Sequence, residues 1–399
     1  MARGQITGLA IGVHYIIRVS IMDTNKSMNV STTAPISPSK MSQLVAYPTM
    51  IGLNSIQRWN LLCDGLLAYK APPKSLTLSP RRKWELVSAL QKSIRRGDCD
   101  SALTALSAMD GIPHEYPYFW RRLCVIACED IGFADDELAT FVIACSVIFT
   151  PIKTGAANYG LFCFLTEQMC ALARRSRIYC SLAVVDDMSR DFGLPALTAS
   201  DRLILAAVAH RKTEIRESKH PWRDWQRKNG WRTEGLLQYL DFTLPFKTSL
   251  VTAPLPISKP ICSLPNYCYD MHTRVGLTVL KRIAAGVEGA EAVGLLLRRH
   301  RVKTPHIAIG WALFFVEGGR TGGEVKYEEV SDLEQRVIAH RFGLPVDVWR
   351  ELRALVSGVV DCGVVDQQRS RVSNDAYESP IPQSGNLFDI ELAGSEVQK

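Results

Sequence analysis

The segment LSPRRKWELVSALQKSIRRGD, residues 78–98, constrains the fold of this chain more than any other stretch. Ser79 is placed to cap a helix, Pro80 fits the first helical turn, and Gly97 fits the stop. Between these signals, apolar residues recur at the three- and four-residue spacing of an amphipathic helix: Trp84, Val87, Leu90 and Ile94. The pattern predicts a helix that buries this apolar face against other helices.

A second helix is expected to follow at once. Asp98 can cap it, and Gly111 and Pro113 can end it. Its apolar stripe consists of Ala102, Leu103, Leu106 and Met109. The first two helices should therefore form a hairpin. The segment YPYFWRRLCVIACEDIG predicts a third helix, which stops at Gly132.

The whole chain is predicted to be all-α. Further helices are expected near 136–149, 156–176 and 177–190, and no segment shows the sustained alternation of a half-buried strand. Composition divides the sequence into a flexible lead-in at 1–43, a helical domain at 44–242, a Pro-rich connector at 243–265, a second helical unit at 266–365 and a disordered tail at 366–399. A translation start downstream of Met1 is an alternative explanation for the lead-in.

Composition limits the class of protein. The eleven cysteines lack the spacing of a disulfide framework, which indicates free thiols in a reducing compartment, and we expect a cytoplasmic protein. No stretch reaches the roughly 18 uninterrupted apolar residues of a membrane-spanning helix, so no membrane partner is expected. The net charge of +7 permits contact with a polyanion without requiring it.

Two blocks, ELVSALQKSIRRGDCDSALTALSAM and FWRRLCVIACEDIGFADDEL, carry a family resemblance within residues 84–135. They resemble the helical region that follows the ATPase module in the replication-associated recombination protein A family of clamp-loader-related AAA+ proteins. The matching positions in the first block are Ser88, Ala89, Gln91, Lys92, Ser93, Arg95, Asp98, Asp100, Ala102 and Leu103. Those in the second block are Arg121, Arg122, Leu123, Glu129, Asp130, Ile131, Gly132, Ala134 and Asp135.

The resemblance implies a collar-like helical domain that assembles with copies of itself, a tetramer in the family. The oligomerisation motif would include Lys92, Arg95, Arg121, Arg122, Glu129 and Asp130. Replication proteins such as a sliding clamp or a single-strand-binding protein would be further partners. Because this chain carries the collar-like region without the ATPase module, it also resembles a bacteriophage protein. The sequence contains no GxxxxGK[ST] motif, so we expect neither ATPase activity nor a cofactor.

Basic residues are the candidate nucleic-acid contacts. On the first helix, Arg81, Lys92 and Arg96 fall opposite the apolar stripe, so they are expected to face solvent. Residues 201–232 hold nine Lys or Arg, interleaved with tryptophans that could stack on unpaired bases. The candidates there are Trp222, Arg223, Trp225, Arg227, Lys228 and Trp231, and the segment RRHRVK adds Arg298, Arg299 and Arg301. The alternative is a solvated basic face beside three core tryptophans.

The remaining reactive groups favour structural roles. Cys124 and Cys128 lie one helical turn apart, but no second Cys or His pair completes a zinc site, so we expect both in the core and no bound metal. Carboxylates surround the predicted helix end at Gly132, where helix capping or an intersubunit ion pair is expected: Glu129, Asp130, Asp135 and Asp136.

The segment CYDMHTRVG holds the densest reactive group in the sequence: Cys268, Asp270, His272 and Arg274. A nucleophilic Cys–His pair is one interpretation. A helix cap by Asp270 or Thr273 is the other. In the tail, SGNLFDIEL loosely resembles peptides that dock on bacterial sliding clamps.

The sequence as a whole predicts a non-enzymatic, oligomerising, DNA-associated factor in replication, recombination or repair. A nucleic-acid-modifying enzyme that uses Cys268 and His272 is one alternative. A purely structural interaction protein is the other.

Overall fold

The structure is a computed structural model that describes residues 55–74, 82–110, 116–149, 155–191, 248–252 and 254–378. Helices make up 73% of this part of the chain, which confirms the all-α prediction. The first half contains α1 (Ser55–Ala68), α2 (Lys83–Arg96), α3 (Cys99–Met109), α4 (Tyr116–Ile126), α5 (Asp136–Phe149), α6 (Gly155–Ala171) and α7 (Ile178–Asp191). Between α4 and α5 lie a π-helical turn, π1 (Ala127–Ile131), and a 3₁₀ turn (Gly132–Ala134).

The second half is also built mainly from helices. It contains a 3₁₀ turn (Asn266–Cys268), α8 (Arg274–Ala285), α9 (Glu291–Arg299), α10 (Pro305–Leu313), a second π-helical turn, π2 (Phe314–Gly318), α11 (Glu328–Arg341), α12 (Val346–Asp361) and α13 (Val364–Glu378). None of the helices in the described ranges is long and apolar enough to cross a membrane.

The predicted hairpin of α2 and α3 is confirmed. Gly97 ends α2 in the left-handed conformation, with φ of 77°, and its N–H bonds back to the last turn. Asp98 then caps α3 by accepting a hydrogen bond of 3.1 Å from the N–H of Ser101. The two helices pack closely along their lengths, so the sequence signals alone define this corner of the fold.

The described residues of the predicted connector, 248–252 and 254–265, include three short strands. Strand β1 (Thr248–Val251) pairs antiparallel with β4 (Glu324–Tyr327), and β2 (Pro260–Ile261) pairs with β3 (Leu264–Pro265). Backbone pairing and the burial of Ile261 hold this segment on the helices. The buried residues of the two predicted helical units form one continuous apolar cluster.

The predicted disordered tail begins too early, because α13 continues to Glu378. Val365 and Val372 are buried, and so is Arg369, which is 1% exposed. The polar composition of this segment predicted disorder. In the structure, ion pairs as well as apolar contacts hold α13 against the other helices. The SGNLFDIEL peptide lies outside the described residues.

Candidate functional site

The polar face of α2 is buried. Lys92, Arg95 and Arg96 are between 3% and 8% exposed, so the prediction that Lys92 and Arg96 face solvent is wrong. Helical spacing places them opposite the apolar stripe, as expected. That second face is covered by the 3₁₀ turn at 266–268 and by π2, both from the other half of the chain. Arg81 lies outside the described residues.

Lys92 is held by the segment that precedes α8. Its ammonium donates to the carbonyl of Tyr267 and forms an ion pair with Asp270, both at 2.7 Å. Burial acts to raise the pKa of Asp270, but Lys92 and His272 outweigh burial and hold that pKa below its usual range. Asp270 therefore stays charged, and this ion pair is internal to the chain.

Arg95 joins the two π-helical turns. Its Nε donates to Asp130 of π1, and its Nη1 donates at 2.6 Å to the carbonyl of Gly318 at the end of π2. The guanidinium also lies 5.4 Å from the ring centroid of Phe314. Asp130 has no solvent-exposed surface. Arg95 and Asp130 are therefore not available for the oligomer contacts that the resemblance implied.

Arg96 is the third cation of α2 that contacts the second half of the chain. Its Nη2 donates at 2.9 Å to the backbone carbonyl of Glu317, and its Nη1 donates at 3.1 Å to that of Pro256. The guanidinium carbon stacks 4.1 Å from the ring centroid of Tyr267. These partners are two backbone carbonyls and an aromatic face, so Arg96 connects α2 to π2 and to the residues before α8.

Glu317 and Arg369 form a second buried ion pair behind π2. Two hydrogen bonds of 2.6 and 3.0 Å connect them, and Arg369 also pairs with Asp366 at 3.0 Å. Burial acts to raise the pKa of Glu317, but Arg369 outweighs it and the pKa is lowered. Sequence reasoning missed both residues, because nothing in the sequence near either position indicates a partner some 50 residues away.

Glu129 and Arg122 complete the network through Gln91. The amide of Gln91 donates to Glu129 at 2.9 Å and to Asp130 at 3.1 Å, and its oxygen accepts from Arg122 at 2.6 Å. Glu129 and Asp130 thus both accept hydrogen bonds from Gln91 of the same chain. Arg121, by contrast, is exposed on α4.

A small, shallow cleft lies beside this network. Its charged lining residues pair with one another, Lys92 with Asp270 and Arg369 with Glu317, so the cleft offers no net charge to a ligand. The rest of the lining comes mainly from π2, α10 and the residues just before α8. The cleft lies where the two halves of the fold meet.

The Cys268 and His272 pair does not have the geometry of a nucleophile and base. Cys268 is fully buried and burial raises its pKa, which disfavours the thiolate. His272 is exposed, and its Nδ1 lies 3.2 Å from Asp270. Thr273 caps α8 by accepting from the N–H of Gly276 at 3.0 Å, as the structural interpretation predicted.

Asp135, Cys124 and Cys128 have the structural roles that the sequence indicated. Asp135 caps α5 through a 3.0 Å bond from the N–H of Leu138 and also pairs with Arg58. Cys124 and Cys128 are fully buried. Within the described residues, no group of three or more His, Cys, Asp or Glu side chains is placed to bind a metal ion.

Three of the predicted nucleic-acid contacts lie at the end of α9. Arg298, Arg299 and Arg301 are exposed, as is Lys303 just beyond them. In the described part of the chain, none of these four cations has a carboxylate within salt-bridge distance. We call these four residues the α9 basic surface. The tryptophan-rich candidates at 222–231 lie outside the described residues.

Arg301 has an unusual backbone conformation. Four helices end in turns with the same pair of backbone hydrogen bonds, and one residue of each turn is left-handed: Gly97 after α2, Gly286 after α8, Gly343 after α11 and Arg301 after α9. Arg301 has φ of 53°. A side chain in this conformation costs about 1 kcal/mol relative to glycine. The turn after α9 therefore carries a cation at the position where the other three turns carry glycine.

Comparison with family models, curated proteins and solved structures found no match for the chain.

Proposed function

We propose that this chain is a non-enzymatic, nucleic-acid-associated factor and that it contacts phosphates through the α9 basic surface. The role in DNA replication, recombination or repair follows from the resemblance of the two α2–α4 sequence blocks to the collar region. The contact surface keeps only a part of the one first predicted, Arg298, Arg299 and Arg301, because Lys92 and Arg96 are buried. The single observation that carries the proposal is the left-handed, exposed Arg301 within a run of exposed cations that form no ion pair with a described carboxylate.

Electrostatics support a polyanionic partner. Cations that neutralise phosphates release condensed counterions, and this release is the main source of sequence-independent affinity for DNA. The four exposed cations form no ion pair with a described carboxylate, so their charge is available for such contacts. Self-association also remains part of the proposal. It would use exposed faces, because Lys92, Arg95 and Asp130 are enclosed within the chain.

A purely structural interaction protein is the second candidate function. The observation that favours it is the internal use of the motif residues, since Arg95 and Asp130 join elements of one chain. Such a protein would assemble without affinity for nucleic acid. The enzyme alternative finds no support in the geometry of Cys268 and His272.

Fluorescence anisotropy tests the proposal. Labelled single-stranded, duplex and forked DNA are titrated with the purified chain at several salt concentrations, together with the Arg299→Glu variant. The matched control is Lys70→Glu, which makes the same charge change at an exposed lysine after α1. We expect dissociation constants of about 1 µM to 100 µM that rise steeply with salt, and a larger loss of affinity for Arg299→Glu than for the control. Absence of binding to all three DNAs at low salt would overturn the proposal in favour of the structural role.

A further inference from the structure

Trp84, in the first turn of α2, has a large exposed surface. Its side chain is 54% exposed, whereas Val87, Leu90 and Ile94 of the same predicted stripe are at most 2% exposed. The prediction that Trp84 is a core residue is therefore wrong. An indole buries more apolar surface than most side chains when it enters a core. Its position on the surface calls for a role outside the core.

Trp84 is held in place by neighbouring side chains. The ring of Tyr118, on α4, meets it edge to face with centroids 6.2 Å apart and an interplanar angle of 88°. The ammonium of Lys83 lies 4.3 Å from the Tyr118 centroid and 5.7 Å from the Trp84 centroid. The indole is thus supported on one side while about half of its surface remains accessible.

Cations flank this pair of aromatic rings. Lys83 precedes Trp84 in the sequence, and the exposed Arg121 lies one turn beyond Tyr118 on α4. Glu85, the nearest acidic residue in the sequence, is buried. An accessible indole between cations is the combination by which proteins bind single strands, because a base stacks on the ring while the cations contact phosphates.

We propose that Trp84 is a stacking site for an unpaired base, with Lys83 and Arg121 contacting the adjacent phosphates. This inference rests on the proposed function and deepens it, because it names single-stranded nucleic acid as the form that is bound. A protein partner fits less well. Protein contacts use contiguous apolar patches, whereas the other exposed large apolar residues of the described chain lie on different elements: Leu67, Leu250, Ile257 and Leu295.

The experiment compares wild-type protein with Trp84→Ala and Trp84→Phe on three labelled ligands of equal length. The ligands are oligo(dT), the same backbone with abasic sites, and a duplex. We expect Trp84→Ala to weaken oligo(dT) binding about tenfold and to leave duplex binding unchanged. Trp84→Phe should retain most of the affinity, because phenylalanine also offers a π face. Wild-type binding to the abasic strand should resemble Trp84→Ala binding to oligo(dT).

Each other outcome overturns a definite statement. If wild type binds oligo(dT) and Trp84→Ala binds it equally well, the stacking site is wrong while the proposed function stands. An equal loss of affinity of Trp84→Ala for the duplex and for oligo(dT) would also show that Trp84 is not a stacking site. If wild type binds none of the ligands at low salt, both proposals fall. A change in mass by light scattering, with unchanged oligo(dT) affinity, would show that Trp84 contacts another copy of the chain. Thermal unfolding verifies that each variant is folded.

Discussion

Arg95 and Asp130 form a fully buried ion pair between α2 and the first π-helical turn. The same guanidinium reaches the carbonyl of Gly318 in the second π-helical turn. Arg95 thus bonds to a side chain of the first π-helical turn and to a backbone carbonyl of the second, so one side chain links the two halves of the fold.

Replacing Asp130 by asparagine should destabilise the chain strongly. The change leaves the guanidinium of Arg95 buried without its counter-charge, and loss of one partner of a buried pair costs about 3–5 kcal/mol. Urea denaturation followed by circular dichroism measures the free energy of unfolding. The matched control is Asp100→Asn on the exposed first turn of α3, where a change within about 1 kcal/mol is expected. Equal effects of the two changes would show that the buried pair adds no stability.

The ion pair of Lys92 with Asp270 should make stability depend on pH. The pKa of Asp270 is lower in the folded chain than its unfolded value of about 4. Its contribution is therefore complete above about pH 4 and is lost as the pH falls towards the folded pKa. Asp270→Asn should reduce the free energy of unfolding at pH 7.

The same variant should differ less and less from wild type as the pH falls below about 4. Urea titrations at about pH 7, 4 and 3 test this. The control is Asp347→Asn on the exposed start of α12. A difference between wild type and Asp270→Asn that stays constant over this range would contradict the role of Lys92 as the partner.

The helices were predictable from the sequence because their signals are local. Spacing, the cap at Asp98 and the stop at Gly97 defined α2 and α3 without reference to the rest of the chain. The partners of α2 were not predictable. Lys92 meets Asp270, and Arg96 meets the carbonyl of Glu317, at separations for which no periodic pattern exists. A cationic face on an amphipathic helix is usually solvated, so the sequence favoured the wrong environment.

The two surface proposals illustrate the same limit. Trp84 shares the period of the apolar stripe, but its position in the first turn of α2 places it beyond the edge of the core. Arg301 was a candidate only because it lies in a basic run. Its left-handed conformation depends on the backbone bonds after α9, and a sequence that lacks glycine at this point does not reveal them.

Arg301→Gly should raise the free energy of unfolding and lower the affinity for DNA. Glycine removes the strain of the left-handed conformation, so we expect a gain of about 1 kcal/mol in the free energy of unfolding. The affinity for DNA should fall, because a phosphate contact is lost. Arg301→Ala is the control, since it removes the charge and keeps the strain. It should weaken DNA binding equally without the gain in stability. A glycine variant that is no more stable than the alanine variant would show that the turn is not strained.

Gly276 and Gly358 should respond to alanine in opposite directions. A Cβ at Gly276 would lie 1.9 Å from the carbonyl oxygen of Asp270, so the segment that places Asp270 against Lys92 would have to move away from α8. Overpacking of this kind costs about 1–3 kcal/mol or more. Gly358 lies exposed within α12 with nothing within 4 Å of its added Cβ.

Alanine at position 358 should therefore stabilise the chain by about 0.5–1 kcal/mol, because it reduces the freedom of the unfolded state and favours the helix. Parallel urea titrations of Gly276→Ala and Gly358→Ala measure both effects. Thr273→Ala gives a scale for Gly276→Ala, since it removes only the cap of α8 and should cost about 1 kcal/mol. If Gly276→Ala were no more harmful than Thr273→Ala, the close approach of α8 to Asp270 would be wrong, and so would the rigid placement of Asp270 opposite Lys92.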